Sequence, residues 1–262
     1  MNLNGQSISF MGLCHKIIAP IFILSILTAC GGGGGKLKYK DLPVEQLYIE
    51  AQKYMDFGQY RFGAVAFDEV ERQHPYSSWA RRAQLMSAYS YYMANDYEDA
   101  ILSAERFLSL HPGNKNAAYA HYLVGLSYYE QIADVRRDQN NTEQALATFT
   151  DIVRRYPTSE YAKDARVKIE LTRDHLAGKE MEIGRFYQTT GEFFAAIGRF
   201  NNVVKKYQTT SHAPEALLRL TESYLAMGIV EEAKKSGEVL ELNYPDSEWN
   251  ERSRSLLQKY AN

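Results

Sequence analysis

The sequence has little of what several classes of protein require. Its 262 residues contain only 2 cysteines, Cys14 and Cys30, which excludes a disulfide framework and a cysteine-rich zinc site. Lysine and arginine number 30 against 32 aspartates and glutamates, so the basic excess of a nucleic-acid-binding protein is absent. The sequence has no HExxH, GxSxG or Walker motif, and its histidines lack metal-ligand spacing. These absences favour a non-catalytic binding protein without a metal or cofactor.

Long hydrophobic runs are also missing, although a shorter one lies near the N-terminus. Residues 17–27 (IIAPIFILSIL) are almost wholly apolar, but a helix needs roughly 20 such residues to span a bilayer. The run fits the hydrophobic region of a secretory signal peptide. The next residues, Leu27-Thr28-Ala29-Cys30, match the bacterial lipobox. The sequence therefore predicts a signal peptide over 1–29 and a mature chain that begins at Cys30.

The lipobox predicts a covalent lipid on Cys30, with an acylated amino group and an S-diacylglycerol thioether. Each buried CH₂ contributes about 0.8 kcal/mol, so several chains anchor a protein stably. Residues 31–35 are five glycines, which begin a flexible tether over 30–43. Gly31, where an inner-membrane lipoprotein would have Asp, favours the periplasmic face of the outer membrane by resemblance to Gram-negative sorting rules. The alternative is an ordinary signal peptide followed by an incidental cysteine.

From Pro43 onward, apolar residues recur at helical spacing, and five similar turns divide the chain. The turns are centred on Pro75, Pro112, Pro157, Gln208 and Pro245, at intervals of 37, 45, 51 and 37 residues. A small residue stands 12 residues before each turn: Gly63, Ala100, Ala145, Ala196 and Ala233. Gly or Asn stands 17 residues before four of the turns: Gly58, Asn95, Gly191 and Gly228. This pattern resembles the tetratricopeptide repeat, a pair of antiparallel helices in about 34 residues.

The repeat predicts an all-α fold, a right-handed tetratricopeptide superhelix (α-solenoid) of about five repeats. The 45-residue interval indicates a longer loop around residues 132–141. The 51-residue interval exceeds 37 by 14, or close to four helical turns, which predicts one long helix from about Ser159 to Thr190. Gly178 would be its weak point. The helix would divide the chain into repeats one to three (44–158) and a second half with repeats four and five (159–262).

Tyrosine is abundant, with 20 residues beside 11 Phe and 2 Trp. Eight tyrosines occupy repeated positions in helices or turns and are architectural: Tyr54, Tyr91, Tyr128, Tyr156, Tyr187, Tyr207, Tyr224 and Tyr244. Six others concentrate in the first three repeats. Tyrosine is therefore predicted to have at least two roles in this chain, one in packing and one in binding. Only the group of six bears on what the protein binds.

In the tetratricopeptide family the first helix of each repeat lines a concave groove. Its groove-facing positions carry Tyr48, Arg82, Tyr89, Tyr92, Tyr119, Tyr122 and Tyr129. A tyrosine offers an apolar ring and a hydroxyl, which suits the capture of an extended peptide. The guanidinium of Arg82 suits a terminal carboxylate or an acidic side chain. The alternative is that several of these rings pack against neighbouring helices.

The lipobox, the short tether and the spacing of the five repeats together resemble the BamD family. These are lipoproteins of the β-barrel assembly machinery in the Gram-negative outer membrane. Local matches are Pro75-Tyr76-Ser77, the aromatic run 89–92, Arg137-Asp138 in the insertion, and residues 156–159 (YPTS). The glycine-rich tether, and Gln208 in place of the usual turn proline, depart from the family pattern.

The resemblance implies a non-catalytic subunit that docks on the periplasmic POTRA domains of BamA and binds unfolded outer-membrane proteins alongside other Bam lipoproteins. It implies client recognition by the N-terminal repeats and partner docking by the C-terminal repeats. A functionally important family arginine, in the second helix of repeat four, falls on Arg199, which predicts a BamA contact there. The alternatives are a tetratricopeptide pilotin lipoprotein for secretin or pilus assembly, and a periplasmic scaffold for envelope growth.

Overall fold

The structure, a computed structural model, describes residues 41–260, which form eleven α-helices and no strand. The helices are α1 (Val44–Asp56), α2 (Tyr60–Gln73), α3 (Ser78–Met93), α4 (Tyr97–Leu110), α5 (Ala117–Glu130), α6 (Asn140–Arg155), α7 (Glu160–Thr189), α8 (Phe193–Lys206), α9 (Ala213–Ala226), α10 (Val230–Asn243) and α11 (Glu248–Tyr260). The predicted signal peptide (1–29), the lipid on Cys30 and all but the last three residues of the tether lie outside the described residues.

Helices α1 to α10 form five successive pairs, and α11 packs on the last pair. Each helix contacts the next one along the chain, and the first helices of neighbouring pairs also contact one another. This arrangement confirms the all-α tetratricopeptide solenoid of about five repeats. Between residues 41 and 260, no helix combines the length and the apolarity needed to cross a membrane.

The helices of a pair pack closely because a small residue faces a bulky one. All five small residues predicted from the 12-residue register are buried. Phe149 and Phe200, on the second helices of their pairs, lie against glycines of the first helices. A Cβ atom on Gly125 would come within 2.8 Å of the Phe149 ring, and one on Gly184 within 2.5 Å of the Phe200 ring. Glycine at these two positions therefore lets the aromatic ring reach the backbone of the opposing helix.

The turns within the pairs use left-handed backbone conformations, as the 17-residue register predicts. Four residues have positive φ angles: Gly58 (70°), Asn95 (60°), Gly191 (85°) and Gly228 (74°). Two of the four turns between pairs end in a side-chain helix cap. Ser77 caps α3 by accepting a hydrogen bond from the Ala80 amide (3.0 Å), and Ser159 caps α7 in the same way. These caps explain why the turn motif starts a new helix so sharply.

The long helix α7 confirms the interpretation of the 51-residue interval. It runs over Glu160–Thr189, 30 residues, within one residue of the prediction at each end. The helix continues unbroken through Gly178, and the energetic cost predicted for this glycine stays a prediction. A Cβ atom on Gly178 would lie 3.2 Å from Nε2 of His212, so this glycine lets the α8–α9 loop approach α7 closely. The proposed functional division into two halves stays a prediction.

The predicted insertion forms the loop 131–139 between α5 and α6, whereas Asn140 and Asn141 belong to α6. The Gln139 side chain is buried in this loop, and its amide donates to the carbonyl oxygens of Asp134 (3.2 Å) and Arg137 (3.0 Å). The loop also reaches α7, since Arg136 pairs with Glu182 at 2.8 Å. The loop is therefore an ordered structure that packs on the long helix.

Candidate peptide-binding site

Five tyrosines from three first-of-pair helices meet on one face. They are Tyr89 and Tyr92 on α3, Tyr119 and Tyr122 on α5, and Tyr161 on α7, and we call them the tyrosine cluster. A spacing of three residues puts each pair on one side of its helix. The ring centre of Tyr161 lies 5.4 Å from that of Tyr119 and 5.3 Å from that of Tyr122. All five rings are half-buried, so each packs on the protein and also presents surface to solvent.

The environment of the cluster raises the pKa of the hydroxyl groups of Tyr92, Tyr119, Tyr122 and Tyr161. Burial raises the pKa of Tyr119, and the neighbouring hydroxyls of Tyr89, Tyr161 and Tyr92 raise it further. Burial, followed by the charge of Glu130, raises the pKa of Tyr92 to about 12. These hydroxyls are therefore fully protonated at neutral pH and can act as hydrogen-bond donors.

Two hydroxyls of the cluster donate to carboxylates on a neighbouring helix. The Tyr92 hydroxyl donates to Oε1 of Glu130 at 3.4 Å. The Tyr122 hydroxyl donates to Oδ2 of Asp164, and burial together with this carboxylate raises the pKa of Tyr122. The cluster thus has an acidic edge towards the end of α5 and the beginning of α7.

Tyr129 lies apart from the cluster, two helical turns beyond Tyr122. Its ring makes an edge contact with Phe149, with centres 6.1 Å apart, and the Lys168 ammonium lies 4.6 Å from its centre. The Tyr129 ring therefore packs against Phe149 and Lys168 of the same protein. Such packing against neighbouring helices is what the alternative interpretation of the predicted groove residues expects.

Tyr48 and Arg82 form a second group, which is built around Trp79. The rings of Tyr48 and Trp79 lie 4.9 Å apart, and the Arg82 guanidinium lies 5.4 Å from the Trp79 ring centre. Burial raises the pKa of Tyr48, and the charge of Arg82 opposes this shift. The structure therefore keeps Arg82 beside an aromatic surface, where a cation is also stabilised by the ring.

The sequence prediction missed three aromatic residues of this region: Trp79, Tyr97 and Tyr161. The Tyr97 ring centre lies 5.9 Å from that of Tyr92. The sequence does contain a signal that the beginning of α7 faces the groove. Seven residues after a turn proline stand Arg82, Tyr119 and, at the beginning of α7, Asp164. Counting forward from Pro157, rather than backward from Gln208, would have placed the beginning of α7 in the groove.

Arg199 lies away from the tyrosine cluster, on α8. Its Nη1 atom is 3.3 Å from Oε1 of Glu180 on α7, and 39% of its side chain is exposed. Asn202 donates to the other oxygen of the same carboxylate at 3.0 Å. Arg199 is thus oriented by an ion pair within the chain, while part of its guanidinium faces solvent. Its contact with a partner stays a prediction.

The histidines that recur before the turn prolines have structural partners. Nε2 of His74 lies 2.9 Å from the Leu42 carbonyl oxygen, and Nε2 of His111 lies 3.0 Å from Oε1 of Gln84. Over residues 41–260, no group of three or more His, Cys, Asp or Glu side chains is arranged to hold a metal ion. The features gathered in the candidate site are aromatic surface, hydroxyl donors and one arginine, which suit binding of an extended chain.

Comparisons with known proteins show the family to which the chain is similar. The family model YfiO, described as an outer membrane lipoprotein, matches residues 40–240. An outer membrane protein assembly factor BamD of Caulobacter vibrioides is 51% identical over 95% of this chain and 82% of its own length. The BamD of Rickettsia prowazekii is 41% identical over 94% and 98%, and that of Neisseria meningitidis 33% identical over 88% and 92%. Among solved structures, a tetratricopeptide-repeat protein of Thermus thermophilus covers 82% of this chain and 100% of itself, with 18% identity and a TM-score of 0.38.

Proposed function

Because this chain belongs to the BamD family of outer membrane protein assembly factors, we propose that it is a non-catalytic subunit of the β-barrel assembly complex. Family membership itself gives a role in outer membrane protein assembly and a location at the outer membrane. In the proposed role, the chain holds the POTRA domains of BamA, works with other Bam lipoproteins and binds unfolded outer-membrane proteins. The acylated Cys30 anchors it to the periplasmic face.

The tyrosine cluster supports client binding. Transmembrane β-strands alternate apolar and polar residues and carry aromatic residues at both ends, so an unfolded client presents these side chains along an extended chain. The half-buried rings of Tyr89 and Tyr119 can cover apolar side chains, and their hydroxyls can donate to backbone carbonyls. Ordered helices hold the rings in place before binding, which lowers the entropic cost of association. In this proposed role the chain positions the client.

Arg199 supports docking on BamA. Its guanidinium is paired with Glu180 and 39% of the side chain is exposed, so it can form a further polar contact with a partner without reorganising. It lies on α8, beyond the N-terminal repeats that carry the tyrosine cluster. A client and BamA would therefore occupy different parts of the chain, as a scaffold requires.

The proposal is tested by affinity purification of the lipidated protein from its own membranes, with mass spectrometry of what accompanies it. We expect BamA in stoichiometric amount together with other Bam lipoproteins. A secretin recovered without BamA would overturn the proposal in favour of a pilotin. A Cys30→Ser variant serves as the control for anchoring, because it lacks the acylated thiol and should leave the membrane fraction.

A further inference from the structure

The first helix pair has an outer face that no other pair covers. In the part of the chain that the structure describes, no helix precedes α1, and α1 contacts only α2 and α3. On a later first helix the corresponding face is a packing surface. Lys53 is exposed, whereas Ser90, at the same distance before its own turn, is buried and donates to Sδ of Met55 on α1 at 2.8 Å. Since the outer face of a terminal repeat meets solvent, it is expected to be polar.

This outer face instead exposes several apolar side chains. The exposed fraction is 54% for Ile49, 79% for Phe57 and 49% for Phe62. Tyr54 lines a cavity of about 620 Å³ together with Ile49 and Phe57. The ring centre of Tyr54 lies 6.0 Å from that of Phe62, so Tyr54 connects the three exposed residues. The end patch, as we call it, consists of Ile49, Tyr54, Phe57 and Phe62. A contiguous exposed apolar surface of this kind indicates a contact with something outside the chain.

The two phenylalanines of the end patch are specific to the first repeat. Phe57 stands 18 residues before its turn, and Phe62 stands 13 residues before it. In the other repeats without the insertion, the 18-residue position carries Ala94, Thr190 and Met227. In all four other repeats, the 13-residue position carries Asp99, Gln144, Ala195 and Glu232. Since none of these residues is aromatic, the packing shared by the repeats does not require a phenylalanine at either position.

The first repeat is also the repeat next to the proposed lipid. Cys30 and Leu42 are twelve residues apart, which is at most about 40 Å of extended chain. Leu42 lines the same cavity as Phe57. The helix α1 has 13 residues and is therefore only about 20 Å long. A bilayer that holds the lipid is thus within reach of the end patch.

The charges near the end patch suit a phospholipid surface. Lys36, Lys38 and Lys40 stand between the five glycines and α1, and basic residues next to a lipid anchor are attracted to anionic headgroups. Lys53 and Glu50 line the cavity beside its apolar residues. Their charges match the phosphate and the ammonium of a phosphoethanolamine headgroup.

We propose that the end patch rests on the periplasmic leaflet of the membrane that holds the lipid. Ile49, Phe57 and Phe62 enter the boundary between headgroups and acyl chains, as the apolar face of an interfacial helix does. The protein is then held at two points, the lipid on Cys30 and the end patch, which restricts its orientation above the bilayer. This inference rests on the proposed lipid and is independent of the proposed client binding.

The test uses the full-length lipidated protein in vesicles of phosphatidylethanolamine and phosphatidylglycerol. The mature chain has no cysteine besides the acylated Cys30, so the variant Q59C can be labelled selectively in the α1–α2 turn with the fluorophore NBD. Quenching by a lipid with a nitroxide on its acyl chain reports contact with the bilayer. We expect at least about a twofold loss of emission from this label, because interfacial side chains lie below the headgroups. The same label in Q258C, on α11, is the control and should keep its emission.

A second pair of variants tests whether the apolar side chains cause the contact. I49Q/F57Q should abolish the quenching of the Q59C label, while the protein still floats with the vesicles through its lipid. The matched control L102Q/L242Q changes two exposed leucines elsewhere and should leave the quenching intact. Helical circular dichroism checks that each variant keeps its fold.

An unquenched Q59C label in protein that floats with the vesicles would overturn the inference and leave the lipid anchor intact. Equal quenching of the Q258C label, or quenching that survives in I49Q/F57Q, would also overturn it. If the Q59C label stays unquenched and responds only when BamA is added, the end patch is a protein contact and the inference is wrong. Failure of the unmodified protein to float would count against the lipid on Cys30 itself.

Discussion

Nη1 of Arg199 lies 3.3 Å from Oε1 of Glu180, and this ion pair joins α8 to the long helix α7. A partly exposed pair of this kind contributes about 1 kcal/mol or less to stability. The pair matters more for orientation, because it holds the guanidinium at the surface of the second half of the chain. Any mutation of Arg199 changes this internal contact as well as the proposed contact with a partner, and the two effects must be separated.

A charge swap separates them. The variant R199E places two carboxylates together and should lose co-purification with BamA. The double variant E180R/R199E restores an ion pair of opposite direction, so we expect it to recover thermal stability without recovering BamA. Recovery of both would show that Arg199 acts only within the chain. Unchanged BamA binding by R199E would remove the predicted contact altogether.

Two glycines offer a matched test of the packing between helices. A Cβ atom on Gly184 would come within 2.5 Å of Phe200, whereas one on Gly198 would meet nothing within 4 Å. Gly184→Ala should therefore lower the free energy of unfolding by roughly 1–3 kcal/mol. Gly198→Ala should raise it by up to about 1 kcal/mol, because alanine favours the helix. Urea denaturation measures both, and equal effects would contradict the close approach of α7 and α8.

The tyrosine hydroxyls predict a dependence of stability on alkaline pH. Burial and Glu130 raise the pKa of Tyr92 to about 12, above the value of about 10 in an unfolded chain. Between these values the folded protein retains a proton that the unfolded chain has lost, so the contribution of Tyr92 to stability should be constant below pH 10 and fall from pH 10 to 12. Tyr92→Phe should make this fall shallower. Tyr76→Phe, at a fully exposed position, is the control and should leave the slope unchanged.

Removing rings from the tyrosine cluster should weaken peptide binding while the fold persists. For Y89A/Y92A we expect at least about a tenfold loss of affinity for an extended aromatic peptide, with the helical circular dichroism retained. Y76A/Y260A removes two exposed tyrosines outside the cluster and should bind the peptide normally. Undiminished binding by Y89A/Y92A would refute the groove.

Much of the fold is predictable from the sequence because each repeat obeys the same steric rules. A residue with a left-handed backbone conformation is needed in the tight turn between the two helices of a pair. Gly58 and Gly191 therefore stand at the same distance before their repeat-ending turns. The 14 extra residues before Gln208 keep the face of a helix in phase, and α7 therefore extends without a break. At Gly178 the sequence shows a glycine within a helix, but not that the His212 ring from another part of the chain lies close to it.

The site is less predictable, because it depends on contacts between repeats. The sequence placed Tyr89, Tyr92, Tyr119 and Tyr122 correctly on one face. It could not show that Lys168 would lie over the ring of Tyr129, or that Arg199 would pair with Glu180. Each of these pairs joins two different helices, so it depends on how the helices pack. The periodicity of residues within one helix does not indicate such pairs.

The central claim, that the tyrosine cluster receives clients during outer membrane assembly, is tested most directly in cells. The native protein is depleted and replaced by Y89A/Y92A at equal abundance, and the folded fraction of an outer-membrane β-barrel protein is measured by heat-modifiable gel mobility. We predict that unfolded client accumulates although BamA still co-purifies with the variant. Normal client folding in that strain, with folding lost on depletion alone, would contradict the account.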